Sequence, residues 1–261
     1  MSIEIKEIIT LARKAGEVIL EVYKRDFNIE IKDDKSPLTE ADKKANEIIV
    51  ARLKELYPEI PILSEEEKAA PYETRKNWGT FWLVDPLDGT KEFIKKNGEF
   101  TVNIALIENH IPVLGVVFAP VLDKMYYGSV ENGSWLSIEQ AEPTKLPRIT
   151  NGEKEKAMTV VASRSHMSEE TEQFIEALKS KTSSVNTISI GSSLKLCLVA
   201  EGEADVYPRL GPTMEWDTAA AHAVVNNAGK SVFVYEDGTT TATPLSYNKE
   251  NLLNPFFVVT D

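Results

Sequence analysis

Apolar positions recur at helical spacing over residues 3–24, through Ile5, Ile8, Ile9, Leu11, Ala12, Val18 and Ile19, which predicts an amphipathic helix. Alternation over 27–32 predicts a short strand, and a polar turn follows at 33–39. Thr39-Glu40-Ala41-Asp42 has the form of a capping box, opening a second helix that runs to about residue 57. Pro58 and Pro61 punctuate the approach to a short strand at 60–63, and Ser64 then leads into Glu65-Glu66-Glu67. Residues 68–77 are polar and irregular, the pattern of a surface loop. Phe81-Trp82-Leu83-Val84 is an unbroken apolar run, as expected of a strand buried on both faces.

Three further strands are predicted at 99–108, 111–118 and 124–127, with a hairpin turn at Asn109-His110 between the first two and another turn at Asn132-Gly133. Residues 140–152 carry Pro143, Pro147 and Asn151-Gly152 with little periodicity, so two domains are expected, 1–146 and 147–261. Beyond that boundary, strands at 157–162, 185–190, 204–207, 231–235 and 256–259 alternate with helices at 168–180, 192–201 and 216–228, the last closed by Gly229. An α+β half followed by an α/β half predicts a layered α/β sandwich, in the order αβαβα, with the site between the halves.

Composition narrows the partners. The 261 residues carry 27% charged and 42% hydrophobic positions, ordinary for a globular chain. A formal net charge of -12 argues against nucleic acid or an anionic membrane as the main partner. A small phosphorylated substrate stays compatible with it, because bound divalent cations reverse the local field. The single cysteine, Cys197, lies in an apolar run and leaves no intrachain disulfide, which suits a reducing cytosol. The acidic, amphipathic N-terminal stretch does not read as a signal peptide, and no run reaches membrane-spanning length. The expected location is cytoplasmic, with a peripheral position on the cytoplasmic face of the inner membrane left open.

The candidate chemistry lies in Trp82 to Phe93, WLVDPLDGTKEF. Asp85 and Asp88 stand on a tight turn between the buried strand and a helix that starts near Lys91, with Thr90 as its expected N-cap. Carboxylates that close repel unless a proton or cation lies between them. Free amides at a helix start favour an anion. The pair therefore points to a metal site beside a phosphate site. Glu65, directly after a strand, and Asp217, opening an alanine-rich helix, complete a hard all-oxygen set suited to Mg²⁺. His110, His166 and His222 show no zinc spacing; His110 reads as a turn residue and His222 as a packed one.

Leu63-Ser64-Glu65-Glu66, WLVDPLDGTKEF and Glu215-Trp216-Asp217-Thr218-Ala219-Ala220 together resemble the signatures of the inositol monophosphatase superfamily, Mg²⁺-dependent and lithium-sensitive phosphatases. The longer stretch DGTKEFIKKNGEFTVNIALI, with SRSH at 163–166 and GSSLKLCLVAEG at 191–202, is similar to the bacterial 3′(2′),5′-bisphosphate nucleotidase branch. That branch removes the 3′-phosphate of adenosine 3′,5′-bisphosphate. The resemblance implies two or three Mg²⁺ per site. One is held by Glu65, Asp85 and the Leu87 carbonyl, another by Asp85, Asp88 and Asp217, with Asp34 (beside Asp33) helping a third. It implies that Glu65 and Thr90 activate the attacking water and that the Gly89 and Thr90 amides cradle the phosphate. It implies a substrate pocket that adds Ser163, His166, Ser192, Lys195 and Arg209. One departure is Ala221, where the family usually has glycine. The rival expectations are an inositol or sugar monophosphatase on the same fold and a catalytically idle Mg²⁺- or nucleotide-binding protein.

Overall fold

The structure, a computed structural model, describes residues 3–31, 37–148, 157–162, 168–180, 182 and 184–261. Helix α1 (Ile5–Tyr23), strands β1 (Ile29–Ile31) and β2 (Pro37–Thr39), and helix α2 (Glu40–Leu56) come first. Next are β3 (Ile62–Ser64), α3 (Tyr72–Arg75), β4 (Thr80–Asp88), α4 (Thr90–Ile94), β5 (Thr101–Glu108), β6 (Ile111–Ala119), β7 (Lys124–Ser129), β8 (Gly133–Ile138) and β9 (Thr144–Lys145). The remainder is β10 (Met158–Ala162), α5 (Glu169–Lys179), β11 (Val185–Ser189), α6 (Leu194–Glu201), β12 (Tyr207–Arg209), α7 (Ala219–Asn227), β13 (Ser231–Glu236), β14 (Thr239–Pro244) and β15 (Phe257–Thr260).

Strands β3 to β9 form one sheet in sequence order, antiparallel except for the parallel β3–β4 pair. The expected burial of β4 on both faces is observed, and strand alternation sorts it. Trp82 and Val84 join a core with α1 and α2, while Phe81 and Leu83 join a core with α6 and α7. The second sheet runs β12-β15-β13-β14 and is antiparallel. Among the described residues, parallel pairing in this half is confined to β10–β11 and one bridge, Val160 to Val206. Its faces divide in the same way: Phe257 and Val259 turn to the α6–α7 core, Val258 to a smaller one with Ile175 of α5. The layers are thus α1–α2, sheet, α6–α7, sheet, α5, an α/β sandwich. The α6–α7 core draws buried residues from both sides of residue 146.

Several local expectations needed revision. The polar 68–77 segment contains the short α3, and β8 and β14 were not anticipated. The strand expected at 204–207 starts at Tyr207. The capping box at Thr39 is present: its hydroxyl accepts from the Ala41 N–H, and its own N–H donates to Asp42 Oδ2 at 2.8 Å. Helix α7 lies close against β6. A methyl added at Gly115 would stand 2.1 Å from the Ala220 carbonyl oxygen, so the sheet glycine makes the close approach while Ala221 stays buried. No helix among the described residues is long and apolar enough to cross a membrane.

Candidate active site

The pairing of β4 with β5 slips at the turn: Asp85 lies opposite Asn103, but Asp88 lies opposite Thr101. Three steps along β4 are matched by two along β5, a β-bulge. In a regular strand, side chains three apart point to opposite faces; the extra residue brings Asp85 and Asp88 to the same side. Pro86 occupies the bulge, where a missing N–H disrupts no ladder bond. The Leu87 N–H donates to Asp85 Oδ1 at 3.0 Å. Glu65 extends the parallel pairing by one residue, its N–H donating to the Val84 carbonyl at 3.1 Å, and so stands beside Asp85. Asp217, two residues before α7, completes the group with Oδ2 accepting from the Met214 N–H at 2.9 Å.

Carboxylate oxygens of Asp85, Asp88 and Asp217 lie within 4.8 Å of one another, an arrangement that could hold a metal ion. Their electrostatics state the same need. Burial, then Glu65, Asp88 and Asp217, push the Asp85 carboxyl well above the usual range. Burial raises Asp88 to about 6, against the pull of Lys195 and the Ser193 N–H. Burial and then Asp88 raise Asp217 to about 8. Each is short of positive charge, and the donor set is all oxygen, which fits a hard divalent cation.

Gly89 holds the cap position of α4 in the left-handed region (φ 93°), and Thr90 is the first helical residue rather than the N-cap. The sharp exit from β4 requires that backbone, which glycine adopts freely. It releases the Thr90 hydroxyl for other partners: Asp42 Oδ1 at 3.2 Å and the Leu87 carbonyl at 3.3 Å. Asp42 is buried. Its carboxyl is raised by desolvation, partly offset by hydrogen bonds from Thr39.

The facing wall comes from the loop into α6. The Ser193 N–H donates to Asp88 Oδ2 at 2.5 Å, and Asn103 Nδ2 approaches the same oxygen at 3.5 Å. Ser193 Oγ in turn donates to Asn103 Oδ1 at 2.9 Å. Ser192 sits at φ 49°, uncommon for a residue with a side chain, and its buried hydroxyl has no partner among the described residues. Lys195 is buried, donates to the Ser192 carbonyl at 2.7 Å, and is lowered to about 8 by desolvation, against the pull of Asp88. Arg209 donates from Nη2 to the Pro212 carbonyl at 2.7 Å, and its buried Nε has no partner among the described residues.

Most of these line one cavity of about 690 Å³, with Asp42 joined to it through Thr90 and Asn103 through Asp88. Glu65, Asp85, Leu87, Asp88, Gly89, Thr90, Ser192, Lys195, Arg209 and Asp217 line it, so ten sequence positions are brought together. Asp34 (with Asp33), Ser163 and His166 lie outside the described residues. Asp42, Asn103 and Ser193 were not foreseen. Asn103 had a signal, a polar residue inside the apolar run of β5. The signal at Asp42 was fainter: an Asp at the capping-box position usually held by Glu or Gln. His110 sits in its hairpin turn at φ 69°, and His222 is packed against Tyr247.

The family model of the inositol monophosphatase family matches residues 3–255. The chain belongs to the inositol monophosphatase family. Within it, the chain is 48% identical over 258 residues to the 3′(2′),5′-bisphosphate nucleotidase CysQ of Salmonella typhimurium, covering 98% of this chain and 99% of that one. It is 34% identical to the CysQ of Haemophilus influenzae, covering 98% and 91%. The crystal structure of CysQ from Bacteroides thetaiotaomicron superposes with a TM-score of 0.85 at 47% identity, covering 98% of this chain and 96% of that one.

Proposed function

We propose that this chain is a Mg²⁺-dependent phosphoric monoester hydrolase that converts adenosine 3′,5′-bisphosphate to AMP and phosphate, and that the 3′-phosphorylated, 5′-sulfated nucleotide is a second substrate. The observation that carries it is the meeting, in one cavity, of the Asp85–Asp88–Asp217 cluster with buried Lys195 and with Thr90, whose hydroxyl donates to Asp42 behind it. The likeness to CysQ relatives supports the nucleotide. The proposed location is the cytoplasm.

Asp85, Asp88 and Asp217, with Glu65 and the Leu87 carbonyl, would hold two Mg²⁺, and Asp34 would help with a third. When bound, such ions neutralise phosphate charge and make a water more acidic. The chain does the rest. Thr90 donates its hydroxyl proton towards Asp42, which leaves its lone pairs to accept from the attacking water. Burial makes Asp42 a stronger base than an exposed aspartate, so the proton is drawn from water through Thr90 to Asp42. Glu65, beside Asp85, orients the same water. The Gly89 and Thr90 amides face the phosphate.

The second phosphate needs cations beyond the metal cluster. Lys195 and Arg209 supply them, and the unpartnered Ser192 hydroxyl supplies a donor. Ser163 and His166 are proposed as further substrate-binding residues. The testing experiment is phosphate release with Mg²⁺ from adenosine 3′,5′-bisphosphate and from myo-inositol 1-phosphate, each with and without lithium. A strong preference for the bisphosphate, with lithium inhibition, is expected. Equal or faster turnover of the inositol phosphate would overturn the substrate assignment.

A further inference from the structure

Glu215 is fully buried two residues before Asp217, and the chemistry described so far does not use it. Its carboxylate accepts the Asn248 N–H at 2.6 Å, the Lys249 N–H at 2.9 Å and the Lys249 ammonium at 2.6 Å. Its backbone is held as firmly. The Glu215 N–H donates to the Leu252 carbonyl, and its own carbonyl accepts from the N–H groups of Thr218 and Ala219. The residues on either side of Asp217 are thereby tied to the 246–252 segment.

That segment is anchored in turn to the end of α3, ahead of β4. Asn248 is buried and pairs reciprocally with Arg75: Arg75 Nη1 donates to Asn248 Oδ1 at 3.0 Å, and Asn248 Nδ2 donates to the Arg75 carbonyl at 2.6 Å. Arg75 also donates to the carbonyls of Lys249 and Glu250, at 2.8 and 2.9 Å. Arg75 ends α3, directly before β4, the strand that carries Asp85 and Asp88. One buried polar chain, Arg75–Asn248–Glu215, therefore links the approach to β4 with the approach to α7.

We propose that Glu215 is a positioning residue for cation binding: through Asn248 and Arg75 it holds Asp217 at its distance from Asp85 and Asp88 against their repulsion. The carboxylate does not touch the ion. Its effect is preorganisation, so Mg²⁺ has less order to impose on binding. This inference rests on the proposed metal site.

The test is calorimetric titration of metal-free protein with MgCl₂, first on the wild type and then on Glu215→Gln, Lys249→Met and Asn248→Ala, with urea unfolding of each. Wild-type protein that takes up no Mg²⁺ overturns the metal site and this proposal together. With wild-type binding in hand, Glu215→Gln is expected to weaken Mg²⁺ affinity by about tenfold or more, the range of outer-sphere losses. Its kcat at saturating Mg²⁺ should recover to near wild type. Lys249→Met and Asn248→Ala should shift affinity in the same direction by less. A folded Glu215→Gln with unchanged Mg²⁺ affinity overturns the proposal, even if it unfolds at lower urea, because a purely structural role moves stability alone. If Glu215→Gln does not fold, unchanged affinity in both other variants overturns it.

Discussion

Replacing Gly115 with alanine would test whether the fit of α7 on the sheet sets the metal site. The new Cβ would stand 2.1 Å from the Ala220 carbonyl oxygen, whereas carbon–oxygen contacts close no nearer than about 3.3 Å, so about 1 Å must open. The obstacle is main chain on both sides, so no side-chain rotation relieves it, and α7 must move outward. Overpacking of this kind costs roughly 1–3 kcal/mol, or about 2–4 °C of melting temperature per kcal/mol in a chain this size. Asp217 is tethered to the first turn of α7 through the Glu215 carbonyl and moves with it. A misplacement of about 1 Å at a reacting centre costs up to about 10²-fold in rate. The assay pairs thermal unfolding with Mg²⁺-dependent phosphate release. Gly79→Ala serves as control, since a methyl there meets nothing nearer than 4.0 Å. Unchanged melting temperature and Mg²⁺ dependence in Gly115→Ala would refute the coupling of helix packing to the metal ligand.

Three further outcomes are expected. Asp88→Asn should lower turnover by more than the ~100-fold that outer-sphere metal losses reach, without loss of metal-free stability, because it removes a buried like charge while an amide oxygen still faces the Ser193 N–H. Near-normal activity would remove Asp88 from the ligand set. Lys195→Ala should raise KM for adenosine 3′,5′-bisphosphate about tenfold or more, as loss of a hydrogen bond from a charged group implies, and hardly change it for a monophosphate; equal effects would take Lys195 out of the second-phosphate site. His222 is lowered by burial from its ordinary 6.5 to about 3, so the unfolded chain takes up its proton first as pH falls. Its contribution to stability is complete above 6.5 and drains away between 6.5 and about 3, at up to ~1.4 kcal/mol per pH unit. The unfolding free-energy difference between wild type and His222→Gln should therefore slope across that window; a flat difference would contradict the buried neutral imidazole.

The apolar run at Phe81-Trp82-Leu83-Val84 determined a doubly buried strand, because no polar position offered a solvent face. The same logic of spacing placed α1, the capped start of α2, and the helices after residue 157 with most of the strands between them, though not β14. Carboxylates crowded on a turn next to a glycine implied a cation without any coordinates, since like charges at that spacing need one. What the spacing left open was direction. Asp85 and Asp88 are three residues apart, and only the bulge against β5 turns both to one side. The bulge depends on pairing with a strand more than ten residues away, so no local pattern announces it. Asp42 looked like part of a helix cap and is one, yet the same carboxylate receives the hydroxyl of Thr90, the first residue of α4, a contact only tertiary packing makes. Glu215 read as one letter of a motif, and its partners Asn248 and Lys249 lie more than thirty residues on. Local sequence decides which groups are charged and which elements carry them. Packing of one element on another decides which charges must share a cavity, because only the folded chain brings distant strand ends within a few ångströms.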